Sequence, residues 1–490
     1  MENRDITVFK ADFNNSKRIK YEEEHPIRSA YQRDRDRILY SRAFRRLSGK
    51  TQVFLTVKDD HLRTRLTHSL EVSQIARTIS KALGLDEDLT EAIALGHDLG
   101  HTPFGHVGER TLNHIMNGCY IISDFNTNLR EDMKGFKHNW QGVRVATQLE
   151  ERSLNLTKDV LWGILNHSSL KYKKCKKDSG KVICSLKHNK FKGECSSNYN
   201  YSLEFYNDIN MQLDESNSWS IEALIVGIAD EIAQRHHDIE DAIEYKILDV
   251  QDLLDEIKAR FVREEDCIFK EEDLAILKDI ENNKDNKYAS IALFSKLIVN
   301  FLTNDIINKT NENLEILKNE YDINSSNDFY NKKPNIFSER NIKELVSFSE
   351  KVKNEDEKFQ KFLKRRILNS FEAQRMDGAG QYVIRKLFEA YVFNPQQLPD
   401  KTIKKLYESL LNNKSELNIS KDLIDGMEDK NKIGDIRDII SEIHYDISSE
   451  NCNIYNSILL MIICDYISGM TDKYALEEHK RLYNCIPIGI

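Results

Sequence analysis

Apolar residues recur at intervals of three and four along most of the chain, and this period predicts helices. One stretch with this period runs from Trp219 to Asp241, and it holds an acidic residue, Asp230, among apolar neighbours. Alternating apolar and polar positions, which indicate strands, are scarce, and the chain has only six prolines. The pattern therefore predicts an all-α protein. The clearest run begins after His68 and ends at Gly84, with apolar positions at Leu70, Val72, Ile75, Ala76, Ile79, Ala82 and Leu83.

The most concentrated chemistry lies in the sixteen residues from 94 to 109, which hold three histidines and two carboxylates. The apolar spacing predicts a helix over 88–95 that loosens at Gly96. Pro103 suits the first turn of a new helix, which we expect over 104–115. Adjacent His97 and Asp98 side chains converge on one ion only where a helix ends. On the new helix His106 and Glu109 are three residues apart and share a face.

A basic segment over 33–47 has apolar residues between its arginines, and this predicts one helix that buries Ile38, Phe44 and Leu47. Its arginines fit a solvated, salt-bridged surface as well as they fit phosphate binding, and both interpretations stay open. The residues that follow, 50–54, predict a short extended or loop segment.

The chain of 490 residues is longer than the ~250–300 residues at which single cores stop growing, which predicts more than one lobe. We divide it into an N-terminal helical segment over 1–60, a core over 61–245, a charged helical region over 246–370 and a C-terminal helical lobe over 371–490. Residues 168–217, rich in Lys, Ser, Asn and Cys, predict a loop or insertion. A polar stretch over 324–334 predicts a break between helices.

The net charge of −9 excludes a general nucleic-acid coat, although a local cluster of cations is still able to hold a polyanion. The longest apolar run, 458–464, is far shorter than the ~20 residues that span a bilayer, and no signal peptide is evident. We therefore expect a soluble, cytoplasmic protein without membrane contact. Its eight cysteines form no dense framework, so reduced thiols are preferred over a zinc site. The weak zinc alternative would use Cys175, Cys184, His188 and Cys195.

Two histidines and two carboxylates form a candidate metal site, because this mixed N/O set suits a divalent ion such as Mn, Fe, Co, Ni or Zn, with Mg as a weaker choice. Asp230 supports the interpretation, since a carboxylate on an apolar helix needs a partner. Four protein ligands on a six-coordinate ion leave room for water and a phosphate oxygen, as in a catalytic site. The four residues are His68, His97, Asp98 and Asp230.

The order of these ligands resembles the HD-domain metallophosphohydrolase superfamily, and the surrounding segments are similar to the deoxyguanosine triphosphate triphosphohydrolase (dGTPase) family. The resemblance covers nearly the whole chain and implies an HD-domain helical core over 61–245 with additional helical lobes. It also implies a reaction, in which water attacks the α-phosphorus of a deoxynucleoside triphosphate and releases deoxynucleoside and triphosphate. The matching segments lie at 44–54, 63–72, 97–109, 229–241, 387–391 and 465–475.

The resemblance also implies roles for individual residues. His106, oriented by Glu109, would transfer a proton, and Arg65, His101 and His138 would contact the phosphates. Gln52, on a substrate-contacting loop of the N-terminal segment, and Asp238 would contact the deoxyribose. One departure is Gln234, where family members often have a tyrosine, and it leaves base selectivity open between dGTP alone and several dNTPs. The looser matches for substrate contact are Asn139, Lys171, Tyr172 and one of Lys190 and Lys192.

The same resemblance implies a homo-oligomer and an effector, either a dNTP or single-stranded DNA, besides the dNTP substrate. In metal-dependent assays we expect Mn or Mg to serve. Two other functions stay open: an HD phosphodiesterase that acts on a signalling nucleotide, and a non-catalytic regulator that senses nucleotides or single-stranded DNA.

Overall fold

The structure, a computed structural model, confirms the all-α prediction and adds one small sheet. It describes residues 6–52, 63–120, 122, 129–130, 133–170, 176–178, 181–183, 190–192, 213–263, 266–417, 419–427, 432–448 and 453–483. The first nine helices are Ala30–Tyr40 (α1), Arg42–Arg46 (α2), Arg65–Ala82 (α3), Glu87–Gly96 (α4), Gly105–Met116 (α5), His138–Arg144 (α6), Lys158–Asn166 (α7), Glu215–Ser218 (α8) and Ile221–Glu244 (α9).

The remaining helices complete the charged region and the C-terminal lobe. They are Val250–Phe261 (α10), Glu271–Asn282 (α11), Lys287–Glu320 (α12), Ser326–Glu339 (α13), Glu350–Leu368 (α14), Phe371–Phe393 (α15), Asp400–Asn412 (α16), Lys421–Gly426 (α17), Ile433–Ser448 (α18), Asn453–Ser468 (α19) and Asp472–Tyr483 (α20). Short 3-10 turns lie at Thr7–Phe9, Phe13–Asn15, Leu47–Gly49, Ile342–Glu344, Pro395–Gln397 and Lys414–Glu416, and a π-helical turn lies at Val145–Leu149.

The basic segment predicted as one helix is two helices that meet at Ser41. This residue has an extended backbone, with φ −69° and ψ 152°, and its hydroxyl accepts a hydrogen bond from the backbone N–H of Phe44 at 3.0 Å. Serine caps helices in this way because it satisfies a backbone donor that has no partner inside the helix. The burial of Ile38, Phe44 and Leu47 is confirmed.

One hydrophobic core joins the predicted core and the charged region, because α9 packs against α3, α4 and α12. The break predicted over 324–334 is wrong for most of its length, since α13 begins at Ser326 and contains Pro334. Ser325 caps this helix by accepting from Asp328 N at 3.2 Å, and Phe329 is among its buried side chains. Capping and burial outweigh the one backbone hydrogen bond that a proline removes.

A second hydrophobic core belongs to the C-terminal lobe, in which α15 packs against α20 and α19, and α16 packs against α19. Helix α5 contributes Leu112, Ile115 and Met116 to this core. The helix that carries His106 and Glu109 is therefore held by the C-terminal lobe, although the two residues lie in the segment predicted as the catalytic core.

The loop predicted over 168–217 contains a three-stranded antiparallel sheet. Its strands are Lys176–Asp178 (β1), Lys181–Ile183 (β2) and Lys190–Lys192 (β3), in that order. The positions of the weak zinc alternative, Cys175, Cys184, His188 and Cys195, lie outside the described residues.

Among the described residues, one helix, α12, is long and apolar enough to cross a membrane by length and composition alone. Half of its most apolar window is buried inside the protein, where it packs on α9 and α11. A core helix passes the same test, so the absence of membrane contact stays a prediction.

Candidate metal centre and active site

The four predicted metal ligands come from three helices that pack together in the first core. His68 lies in the first turn of α3, His97 and Asp98 follow directly after α4, and Asp230 lies within α9. The helix over 87–96 confirms the prediction that the His97–Asp98 pair stands at a helix end. Of the four, His68, His97 and Asp98 are nearly or completely buried.

The ligand atoms approach one another closely enough to share one ion. Nε2 of His68 lies 3.0 Å from Oδ1 of Asp230, and Nε2 of His97 lies 3.4 Å from Oδ1 of Asp98. Nε2 of His97 is also 4.0 Å from Oδ1 of Asp230. One donor atom from each of His68, His97 and Asp98 lies within 4.8 Å of the other two. The four residues thus form the cluster that the sequence predicted.

The hydrogen bonds of His97 test whether these residues fit a metal. Its Nδ1 lies 2.6 Å from the carbonyl oxygen of Ala94, and a carbonyl only accepts, so Nδ1 carries the proton. The lone pair is therefore on Nε2, which is buried and has no hydrogen-bond partner in the described part of the chain. Metal-bound histidines are held in this way by a carbonyl behind the ring. The cluster fits a divalent metal ion.

The surroundings favour the ionised forms of both carboxylates. Burial opposes ionisation of Asp98, but His97, His101 and Arg65 hold its pKa well below the usual value. Burial also opposes ionisation of Asp230, yet the hydrogen bond and charge of His68 lower its pKa. Ionised carboxylates are the form that binds metal.

Arg65 lies beside the cluster, as expected of a phosphate contact. Its Nη1 donates to Oδ2 of Asp98 at 2.7 Å, and only 1% of the residue is exposed. Its Nε and Nη2 are buried without a hydrogen-bond partner among the described residues. A buried donor without a partner is unfavourable, and the planar guanidinium matches phosphate oxygens. His101 behaves alike, since its Nε2 is 3.2 Å from Asp98 while its Nδ1 is buried without a described partner.

Gly100 brings the loop after α4 against α6. A Cβ at this position would lie 2.1 Å from the carbonyl oxygen of His138 and from the backbone nitrogen of Gly142, so only glycine allows the approach. The close contact places the ring of His101 on that of His138, with centroids 4.0 Å apart and planes 19° apart.

Glu109 contacts His138 directly, which the sequence did not predict. It accepts from Nδ1 of His138 and, at 3.0 Å, from Nζ of Lys137. One potential metal-ligand atom from each of Glu109, His106 and His101 also lies within 4.8 Å of the other two. Burial opposes ionisation of Glu109, but His138 and Lys137 hold its pKa well below the usual value. This carboxylate therefore bonds to His138 and also lies close to His106.

His167, which the sequence analysis missed, determines where the protons of His138 lie. Its Nδ1 is 2.8 Å from the carbonyl oxygen of Ile164, so Nδ1 is the donor, and burial lowers its pKa to about 3. Its Nε2 must therefore accept the hydrogen bond of 3.2 Å that it shares with Nε2 of His138. Because Nδ1 of His138 faces the ionised Glu109, both nitrogens of His138 carry protons. A signal existed, since His167 follows an apolar helix as His97 does.

His106 differs from its neighbours because its side chain is exposed in part. The surrounding protein lowers the pKa of the ring below its usual value; Glu109 opposes this shift and Arg65 adds to it. The imidazole is therefore unprotonated at neutral pH and able to accept a proton.

The two predicted deoxyribose contacts each present a buried oxygen without a described hydrogen-bond partner, Oε1 of Gln52 and Oδ2 of Asp238. Burial raises the pKa of Asp238 to about 6. Gln234, the departure from the family pattern, lies on α9 one turn after Asp230 and is half-buried.

The looser predictions have different outcomes. Asn139 is fully buried, and its amide donates to the carbonyl oxygen of Leu165 and to Oγ of Ser168, which uses both of its N–H groups inside the protein. Its side chain joins α6 to the end of α7, and its role as a substrate contact stays a prediction. The other four positions, Lys171, Tyr172 and the side chains of Lys190 and Lys192, lie outside the described residues.

A second group of metal-binding side chains, also missed, stands behind His68. Nε2 of His237 bonds to Oε2 of Glu71, and the rings of His237 and His68 have centroids 5.2 Å apart. Arg63 pairs with Glu71 at 3.2 Å and with Glu240 at 2.5 Å, so an arginine already neutralises these carboxylates. The group is therefore an ion-pair network that packs behind the His68 ring.

Comparison with known families agrees with this geometry. The HD domain family matches residues 65–256, which include all four ligands, and the phosphohydrolase-associated domain family matches 346–433 and 459–481 in the C-terminal half. The fold and the site are thus those of an HD-domain phosphohydrolase.

Similar curated proteins extend over nearly the whole chain. Three, each named deoxyguanosinetriphosphate triphosphohydrolase-like protein, come from Bartonella quintana (31% identical, over 96% of this chain and 92% of the relative), Geobacter metallireducens (32%, 98% and 96%) and Rickettsia bellii (33%, 93% and 92%). The chain belongs to this deoxyguanosinetriphosphate triphosphohydrolase-like family.

Proposed function

We propose that the protein is a metal-dependent dNTP triphosphohydrolase whose first substrate is dGTP. The observation that carries the proposal is Arg65, a buried guanidinium whose Nε and Nη2 have no described partner while its Nη1 holds a metal ligand. Such a group is stabilised by a phosphate that binds the ion and the arginine together. The relatives' printed name supports dGTP, and Gln234 leaves open whether other dNTPs are also substrates.

The reaction adds water to the α-phosphorus and breaks its bond to the 5′ oxygen. The water oxygen stays with the triphosphate, and the 5′ oxygen takes up a proton as the deoxynucleoside leaves. His68, His97, Asp98 and Asp230 would hold a divalent ion, which would supply positive charge at the α-phosphate and acidify a bound water.

The chain's own side chains supply the proton transfers. His106, unprotonated at neutral pH, is suited to accept a proton, and His138, with protons on both nitrogens, is suited to donate one. Glu109 links the two by holding the proton of His138 on one side and facing His106 on the other.

Recognition of the sugar rests on unsatisfied oxygens. In a dry site, a buried acceptor that bonds a substrate hydroxyl rejects an analogue without that hydroxyl, because the acceptor is then left unpaired. Oδ2 of Asp238 is such an acceptor, and we assign it to the 3′ hydroxyl.

A dNTP panel with product identification tests the proposal. The purified protein is incubated with each dNTP, alone and in pairs, with Mn or Mg, and we expect deoxynucleoside and triphosphate from dGTP. The pairs also reveal activation by a second nucleotide. Intact dNTPs across pH, or phosphate or pyrophosphate as the product, would contradict the proposal, and turnover of a cyclic dinucleotide instead would favour the phosphodiesterase alternative.

Two variants locate the reaction. His97→Ala and Asp230→Ala are expected to lose bound metal and hydrolysis while keeping the helical circular dichroism spectrum. The controls are His25→Ala, at a half-buried histidine before α1, and Asp438→Ala, at an exposed aspartate of α18, and both are expected to retain metal and hydrolysis. Full activity in His97→Ala or Asp230→Ala would show that the hydrolysis does not depend on this cluster.

A further inference from the structure

Asp472, the first residue of α20, reaches from the C-terminal lobe into two loops of the active site. Its Oδ1 accepts from the backbone N–H of Phe104 at 2.8 Å. Its Oδ2 accepts from the backbone N–H of Thr51 at 2.9 Å and from the hydroxyl of Thr51. Only 1% of the residue is exposed. All three hydrogen bonds of this buried carboxylate are made to residues outside the C-terminal lobe.

Both loops carry residues assigned to the substrate. Thr51 directly precedes Gln52, and Phe104 stands two residues before His106. The loops also touch each other, because a Cβ on Gly105 would lie 3.3 Å from the carbonyl oxygen of Gln52. One carboxylate therefore joins the loop of a predicted sugar contact to the helix of a predicted catalytic histidine.

The backbone of Phe104 shows what this bond holds in place. Its φ of 61° and ψ of 26° are left-handed, which is unfavourable for a residue other than glycine. The side chain packs where Gly380 of α15 leaves room, since a Cβ there would lie 2.9 Å from Cβ of Phe104. Two elements of the C-terminal lobe thus hold the turn that aims His106.

A neighbouring contact ties the same segment down. Nζ of Lys50 donates to the carbonyl oxygen of Ser468 at 2.8 Å and to that of His101. The carbonyl of Lys50 in turn accepts from the backbone N–H of Arg65 at 3.0 Å. The chain around Thr51 is therefore fixed between the α19–α20 turn and the phosphate-binding side of the site.

We propose that Asp472 is a positioning residue that sets His106 and Gln52 at their places across the substrate site, which makes the C-terminal lobe part of the active site. The proposal rests on the function proposed above. It assigns Asp472 no contact with the substrate, so the residue acts through Thr51 and Phe104.

The test compares Asp472→Asn with wild type in two measurements. An amide presents N–H groups to one of the two loops, so at least one charge-assisted hydrogen bond is lost, and we expect kcat for dGTP to fall at least about tenfold. Hydrogen exchange of the peptides covering 46–52 and 101–110 is expected to accelerate at least about tenfold, while exchange within α9, which carries Asp230, stays unchanged. Asp422→Asn, at an exposed first-turn acid of α17 in the same lobe, is the matched control and should alter neither measurement.

A second variant guards against loss of folding. Thr51→Val removes only the hydroxyl bond and keeps both backbone bonds, and it should change kcat and exchange in the same direction by a smaller factor. Unchanged exchange of both peptides in Asp472→Asn, or a kcat within twofold of wild type, would overturn the proposal. If wild-type protein hydrolyses no dNTP, the proposed function fails, and the exchange comparison then decides alone on the role of Asp472.

Discussion

The guanidinium of Arg65 donates to the carboxylate of Asp98 at 2.7 Å, and both side chains are almost completely buried. This contact joins a predicted phosphate ligand to a predicted metal ligand. The arginine therefore holds Asp98 in place, and under the proposed function its remaining N–H groups would bind the substrate.

Arg65→Lys separates charge from geometry. Lysine keeps the positive charge but lacks the planar fork, so it is unable to serve Asp98 and a phosphate at once. We expect kcat/KM for dGTP to fall about ten- to hundredfold, which corresponds to one charged hydrogen bond. Steady-state kinetics measure this, with Arg45→Lys on the exposed side of α2 as the control. A loss below twofold would show that the fork has no role.

Glu109→Gln tests the two protons of His138. The neutral amide no longer stabilises a doubly protonated ring, so one nitrogen of His138 should lose its proton. Nitrogen NMR of the histidine side chains measures this directly, and kcat should fall about a hundredfold. Glu357→Gln, on the exposed face of α14, controls for the change of charge. Two protons retained on His138 would contradict the arrangement of hydrogen bonds described here.

Asp238→Asn tests the assignment of the 3′ hydroxyl. Because burial raises the pKa of Asp238 to about 6, the assay is run at pH 8, where the side chain is a carboxylate and accepts a hydrogen bond. Wild type should prefer dGTP over its 3′-deoxy analogue by at least about tenfold in kcat/KM, and the variant should lose most of this preference. Equal preferences in wild type and variant would show that Asp238 does not bind the 3′ hydroxyl.

Patterns of nearby residues in the sequence predicted helix α3 and the end of helix α4. The apolar period over 70–83 predicted α3, and the end of α4 was predicted because its apolar run stops at Gly96. The predicted start of α5 was wrong: the backbone of Phe104 is left-handed, its N–H bonds to Asp472, 368 residues away, and the helix begins at Gly105. No local pattern carries that information.

In the candidate site, too, some residues were predicted from the sequence and others were missed because their contacts are long-range. All four metal ligands were predicted from their order in the sequence, and the structure brings them together. The partners of His138 were missed because Glu109 and His167 each lie 29 residues from it, and only the packing of α5, α6 and α7 brings them together.

Glu222 provides a test of stability with a defined sign. Its Oε1 accepts from the backbone N–H groups of Ala11 and Asp86 at 2.9 and 3.0 Å, and burial raises its pKa to about 7 from the usual 4.5. Between these values the folded state binds the proton more tightly than the unfolded state, so the contribution of Glu222 to stability is full below pH 4.5 and is lost as pH rises through 7.

Glu222→Gln keeps the acceptor and removes the titration. From pH 5 to pH 8 the free energy of unfolding of wild type should fall by about 2 kcal/mol more than that of the variant, as a shift of this size implies. Urea denaturation at the two pH values measures the difference. Parallel pH dependence in the two proteins would contradict a raised pKa at Glu222.

The central claim is that water attacks the α-phosphorus of dGTP at the metal cluster, and hydrolysis in ¹⁸O-labelled water tests it most directly. Mass spectrometry of the products should find one labelled oxygen in the triphosphate and none in the deoxyguanosine. Label in the 5′ hydroxyl of deoxyguanosine, or in phosphate or pyrophosphate released from the nucleotide, would contradict this account.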